Sequence, residues 1–346
     1  MSQSDELTQP ADTMQERTGE SGVKMWFLIT ANRWIVTGVL SLAMFGLVVL
    51  FNVVGPTNVQ TILGPQVVGN VFGSVIIAVV TGVSLILAIA QLVLSEQMGP
   101  LGEKQDEMRD QIEFRDNVEK RIDDDVSPAA PSAFLRTLIG AVSSQARTFK
   151  DIVEDNDNDN DVDTYALVEY AESIIDHGET VGEELENTTF GSFEVIMPVL
   201  DYNYSWKIVA GRRLKAEYAG SITEEAEEAL EELIGSLRFF APAREYFKMI
   251  YFQWEINNIA RGVLYASIPS LAIAAYMILA FDPHQVSGYT LALHNRYLFV
   301  GLVYTVSLLP FTVVLAYILR IVTVTQRTLA LGPFILRETQ RESEFD

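Results

Sequence analysis

The side chains best suited to chemistry are few in this chain and poorly spaced for it. There is no cysteine, which removes a disulfide framework, a thiolate metal site and a cysteine nucleophile. Three histidines occur, His177, His284 and His294. The last two share a segment with Asp282, but their separation is no recognised zinc-ligand spacing, so surface histidines are expected. The alternating Asp/Asn run from Asp155 to Asp161 opens like a calcium loop. It then places Asn160 where glycine is needed and Ala166 where a bidentate glutamate is needed, so a solvated acidic linker is expected. No phosphate loop, Rossmann glycine pattern, His-Glu-x-x-His helix or Gly-x-Ser-x-Gly elbow is present. The expectation is a protein that is not an enzyme, with no catalytic residues, no metal and no cofactor.

What remains is polar chemistry inside apolar segments. Four runs reach the roughly 20 residues needed to cross a hydrocarbon core: Trp34–Val54, Phe72–Ser95, Gly262–Phe281 and Tyr297–Leu319. None contains Asp, Glu, Lys or Arg, so each should insert unaided. Their hydroxyls and one amide are the candidate lining of a pathway: Thr81, Ser84 and Gln91 in the second run, Ser267 in the third, Ser307 in the fourth. Without an intramembrane carboxylate or base a proton-relay pump is disfavoured. Ser74, Ala78 and Gly82 form a small-residue stripe that reads as helix packing. Pro269 and Pro310 each remove a backbone donor and are candidate kinks. The basic group Lys207, Arg212, Arg213 and Lys215 is a candidate contact for an anionic lipid or nucleotide. Pairing with the acidic face from Glu224 to Glu232 is the competing account.

The elements that must position these residues follow from charge and periodicity. Apolar residues make up 49% of 346 positions, yet the net charge is −22, so carboxylates and apolar runs are segregated. Lysine is scarce, with seven residues, and acidic residues dominate the polar segments; this composition resembles the proteins of salt-loving archaea. At molar salt the screening length falls to roughly 3 Å, which relaxes the self-repulsion of such a surface. Basic residues flank the runs on one side: Lys24 and Arg33, Lys104 to Arg115, Arg244 to Arg261, Arg320 to Arg337. The positive-inside rule then places both termini and the middle region in the cytoplasm of a multi-pass cell-membrane protein.

The expected fold class is all-α: four spans with a cytoplasmic helical bundle or stalk inserted between spans two and three. The segments are a disordered tail at 1–23, an interfacial helix with the first transmembrane hairpin at 24–95, the acidic helical region at 96–261, the second hairpin at 262–320, and a tail at 321–346. Within the acidic region an apolar face runs from Phe134 to Phe149 on a helix capped by Ser132, and a second amphipathic helix covers Thr164–Leu185. A third covers about Phe193–Tyr218 with a bend at Pro198. The last starts at the capping box Ser221 to Glu224 and continues past Pro242 towards the third span. Asp123–Ser132 and Glu154–Asp163 read as exposed, mobile linkers. A faint repeat, Gly99-Pro100 and Gly332-Pro333 after the second and fourth runs, suggests duplicated hairpins. The expected partners are the lipid bilayer, further copies of the chain and a cytoplasmic protein, with no nucleic acid. The function expected is a homo-oligomeric channel or pore; the alternative is a membrane-anchored sensor or scaffold.

Overall fold

The computed structural model describes residues 22–54, 63–122, 126–157, 164–186, 196–290 and 293–327. In chain order these form α1 (Gly22–Met25), a π-helical turn (Trp26–Thr30), α2 (Arg33–Val54), α3 (Pro65–Gln97), α4 (Leu101–Ile122), α5 (Pro131–Asp157), α6 (Tyr165–Glu186), α7 (Ile196–Asp201), α8 (Tyr204–Glu217) and α9 (Glu224–Ala280). A two-residue antiparallel pair follows, β1 (Tyr289–Thr290) and β2 (Leu293–His294), and then α10 (Asn295–Ser307) and α11 (Leu309–Arg327). The described residues are therefore almost wholly helical. Most of the N-terminal tail, part of the Asp/Asn run, and the second Gly-Pro of the repeat lie outside them.

Three helices, α2, α3 and α9, are long and apolar enough to cross a membrane. The pair α10 and α11 passes the same test together and is bent by 52° at its break, so it adds a fourth crossing when counted as one span. Their outward side chains are what hydrocarbon requires: Leu42 and Phe51 on α2 and Leu85 and Leu92 on α3 are exposed and would find no other favourable solvent.

Two compact units divide the chain. The first comprises Trp26–Gly99 and Phe252–Val324. Its core is held by small interdigitating clusters. Val68 and Phe72 of α3 meet Ala274 and Met277 of α9 and Val300 of α10; Ile259, Val263 and Ala266 of α9 meet Val313 of α11. A Cβ added at Gly82 would lie 3.0 Å from the ring of Phe311, so glycine lets α11 seat an aromatic ring directly on the α3 backbone. The Tyr297 hydroxyl donates to the Val48 carbonyl and ties α10 to α2.

The second unit contains Pro100–Tyr251, a helical bundle. Its centre is the antiparallel pair α5 and α6. Leu135, Leu138, Ile139, Val142, Ala146 and Phe149 are all buried, opposite Leu167, Ala171, Ile174, Val181 and Leu185. This is the 3.6-residue face the sequence shows. Arg136 pairs with Glu186 at 3.2 Å, Arg147 with Glu179, and Lys150 with Glu172 at 2.6 Å. These exposed pairs fix the antiparallel register and contribute roughly 0–1 kcal/mol each; the apolar face dominates. Gly178 allows the close approach, because a Cβ there would collide with Ser143 Oγ.

Several local expectations are corrected. The third helix of this region does not bend at Pro198. It breaks at Tyr202 and Asn203, where Asn203 Oδ1 accepts from Trp206 N at 3.4 Å and caps α8. Pro198 sits early in the short α7, where a missing N–H leaves no intrahelical bond unmade. The N-cap of α9 is Thr223, accepting from Ala226 N at 3.3 Å, two residues beyond the capping box read from Ser221. The Pro-rich linker after α4 is anchored: Ser127 is buried, and its N–H and hydroxyl both donate to Glu119 Oε1, at 2.8 and 2.6 Å. Arg115 Nη2 donates to the Ser127 carbonyl at 2.6 Å.

Candidate functional site

The hydroxyls of α3 lie where their spacing puts them. Asn70, Ser74, Thr81, Ser84 and Gln91 fall within about a third of the helix circumference and extend over about 32 Å of its axis. All five are exposed, so no other described helix of the chain covers this strip. Ser74 donates to Asn70 O at 3.0 Å, Thr81 to Ile77 O at 2.8 Å and Ser84 to Val80 O at 2.8 Å. Each hydroxyl proton is thus turned back onto its own helix, and the oxygen lone pairs and the Gln91 amide face outward. Of the small-residue stripe, only Gly82 contacts another span; Ser74 and Ala78 stay exposed.

Ser267 and Ser307 are not on that strip. Ser267 is buried and donates to Val263 O at 2.5 Å. Ser307 is fully buried, and its Oγ has no partner among the described residues. It ends α10 at the break between α10 and α11. Pro310, the second residue of α11, has no N–H for the Val306 carbonyl four residues earlier. Ser270 Oγ on α9 lies 2.7 Å from Ala266 O and 3.2 Å from Val306 O, so its single proton is shared between a carbonyl of its own helix and the one for which Pro310 has no N–H. Across the break Ser41 Oγ and Thr312 Oγ1 are 3.1 Å apart. Pro269 is exposed on α9, which stays helical from Glu224 to Ala280 through both Pro242 and Pro269.

A buried ionic elbow, unforeseen from the sequence, sits at one end of the same unit. Arg33, Glu255 and Arg320 are all buried. Arg320 Nη1 lies 3.2 Å from Glu255 Oε1, and its Nη2 donates to Ala31 O at 2.8 Å. Arg33 donates to the same carbonyl from Nε at 3.0 Å and Nη2 at 2.6 Å, and from Nη1 to Ala316 O at 3.1 Å. The two arginines that read as loop charges setting orientation thus join the start of α2 to α11. The available signal was Glu255 itself, an isolated carboxylate in the apolar stretch from Ile250 to Ala260, since a buried charge of that kind needs a partner.

The candidate anion contact is not assembled. Lys207 is 1% exposed; its Nζ donates to Ser173 O at 3.0 Å and faces the ring of Tyr202 at 5.6 Å. The Tyr170 hydroxyl, its pKa raised by burial, donates to Lys207 O at 2.8 Å. Lys215 pairs with Glu231 at 2.8 Å and Glu227 at 3.7 Å, and only Arg212 and Arg213 are fully at the surface. The histidine expectation is corrected for His177, which is buried 5.1 Å from the Tyr202 ring. His294 caps α10, accepting from Arg296 N at 3.2 Å. No group of three metal-ligating side chains occurs among the described residues.

Three long apolar helices with outward-facing aliphatic side chains, and a bent helix pair that passes the same test together, define a helical membrane-associated protein. The chain belongs to a family of unknown function (DUF7972), which it matches over residues 1–346. No curated protein and no solved structure matches it.

Proposed function

We propose that the chain is one subunit of a homo-oligomeric pore in the cell membrane, with α2, α3, the end of α9 and the α10–α11 pair as four spans. In this reading both termini and the bundle of α4 to α8 are cytoplasmic. The observation that carries it is the polar strip on α3. It runs the thickness of the hydrocarbon core, no described helix of the same chain covers it, and lipid gains nothing from its outward oxygens. Several copies of α3 around an axis would give those oxygens water or a desolvated ion. The strip holds no fixed charge, so rejection of ions by sign would have to arise at the pore mouths.

The absence of native cysteine makes the test direct. Single cysteines at Ser74, Thr81, Ser84 and Gln91 in otherwise unaltered protein should react with a membrane-impermeant thiol reagent, while cysteines at Leu42 and Phe51 on α2 stay unreactive. Purified protein in a planar bilayer should show unitary conductance that changes with Gln91→Leu. Equal protection of all six positions, together with electrical silence, would discard the pore. A membrane-anchored sensor is the second reading, favoured by a cleft in the bundle unit.

A further inference from the structure

The bundle unit contains a cleft of about 830 Å³ between α4, the Ser127–Pro131 segment with the start of α5, and the part of α9 around Pro242 to Ile250. That volume suits a small organic molecule and is too small for a helix. Its floor is a chain of aromatic rings: Phe114 lies 6.4 Å from Phe134, Phe134 6.3 Å from Phe247, and Phe247 5.5 Å from Tyr246. Its rim is acidic, with Glu103, Asp106, Glu107 and Asp110 along α4 and Arg115 the lone basic lining residue. Arg115 is committed elsewhere, to the Ser127 and Pro128 carbonyls and to the face of Phe134. Lys104 pairs with Glu107 at 2.6 Å and Arg109 with Asp106 at 3.3 Å. Glu103 and Asp110 have no ion pair among the described residues. The Tyr246 hydroxyl has its pKa raised by burial and by the Glu107 charge, so the rim's field reaches the floor.

We propose that this cleft binds a lipophilic organic cation: a single delocalised positive charge on an apolar body of drug size. The stacked rings supply dispersion and cation–π attraction, while the unpaired carboxylates supply the sign preference. An anion of the same shape meets the same rings and the wrong field. A neutral amphiphile loses the rim's contribution. The shape of the cleft depends on the clamp of Ser127 by Glu119 and Arg115, which holds the Pro-rich wall against α4 and α5. The inference is independent of whether α3 lines a pore.

Tetraphenylphosphonium and tetraphenylborate form a matched pair of nearly equal size and opposite charge. Titrated calorimetrically into the full-length protein in detergent at fixed salt, the phosphonium should bind saturably and the borate at least about tenfold more weakly. The double variant E103Q/D110N changes only surface side chains and should weaken phosphonium binding about tenfold, equivalent to about 1.4 kcal/mol. A129W, at an exposed position of the wall, should fill the cleft and abolish saturable binding with the helical spectrum unchanged. Equal affinity for the two ions, or wild-type phosphonium affinity in both variants, would overturn the proposal.

Discussion

Replacing Glu255 with glutamine keeps the shape of the ionic elbow and removes its single carboxylate charge. In the native protein the Arg320 guanidinium lies 3.2 Å from that carboxylate, and both side chains are buried. The variant takes from the buried Arg320 the carboxylate that it meets on α9. Breaking a buried pair from one side costs about 3–5 kcal/mol, because the surviving charge stays desolvated. For a compact unit of about 150 residues, such as Trp26–Gly99 with Phe252–Val324, each kcal/mol lowers Tm by about 2–4 °C, so in E255Q this unit should melt about 6–20 °C below wild type. The assay is thermal unfolding in detergent at constant high salt, followed by near-ultraviolet circular dichroism and by loss of the monodisperse chromatographic peak. The double variant E255L/R320M removes both charges and keeps volume, so it should regain most of the loss. An E255Q melting point within about 2 °C of wild type, or a double variant worse than the single, would refute the argument that Glu255 is the counter-charge holding the elbow.

Gly178→Ala should destabilise the bundle by about 1–3 kcal/mol in denaturant titrations, because the new methyl meets Ser143 Oγ. Combination with Ser143→Ala should restore most of it, since Ser143 Oγ is buried without a partner among the described residues. Ser270→Ala removes the proton offered to the Val306 carbonyl and should cost about 1–3 kcal/mol, measured by thermal unfolding. The Glu119 pKa is lowered from its ordinary 4.5, first by the Ser127 hydroxyl and then by the Ser127 N–H. Its contribution is therefore complete above the unfolded carboxylate value and is lost as pH falls through the lower folded value. Hydrogen exchange at the Ser127 amide should accelerate on acidification below about pH 4.5 in wild type, and be fast and pH-insensitive over that range in E119Q, after correction for intrinsic exchange. On lowering salt, far-ultraviolet circular dichroism should show the acidic bundle losing helix before the apolar unit does.

The parts of the fold legible in the sequence are those that a single helix encodes by itself. An uninterrupted apolar run states its own solvent, and the spacing from Phe134 to Phe149 states its own buried face. Pro310 reads as a candidate kink for the same reason, and the 52° bend between α10 and α11 falls beside it. What a distant partner decides was not legible. By sequence Ser127 reads as part of a mobile linker, whereas Glu119 and Arg115 grip it, and Lys207 reads as a surface cation, whereas α6 and the Tyr202 ring enclose it. Arg33 and Arg320 looked like orientation signals because nothing local marks a guanidinium as buried. Asn203 displaced Pro198 as the helix break because a side-chain cap formed there, whereas proline near a helix start is tolerated. The α3 strip is half legible: Thr81, Ser84 and Gln91 read as candidate lining while Ser74 reads as helix packing, and only the packed structure shows that all four share a side left uncovered.

The shared acceptor at Ala31 has a consequence for the motions of the chain. A five-residue π turn near the start of a chain ordinarily frays, opening and closing far faster than the body of the protein. Here the carbonyl that ends the turn receives donors from Arg33 on α2 and Arg320 on α11, and the Ala31 amide closes back on Trp26 O at 2.7 Å. Opening the turn therefore requires two guanidinium groups to be uncovered together. Its amide protons should exchange with solvent as slowly as those at the centre of α11, so this short turn belongs to the slowest-opening part of the molecule.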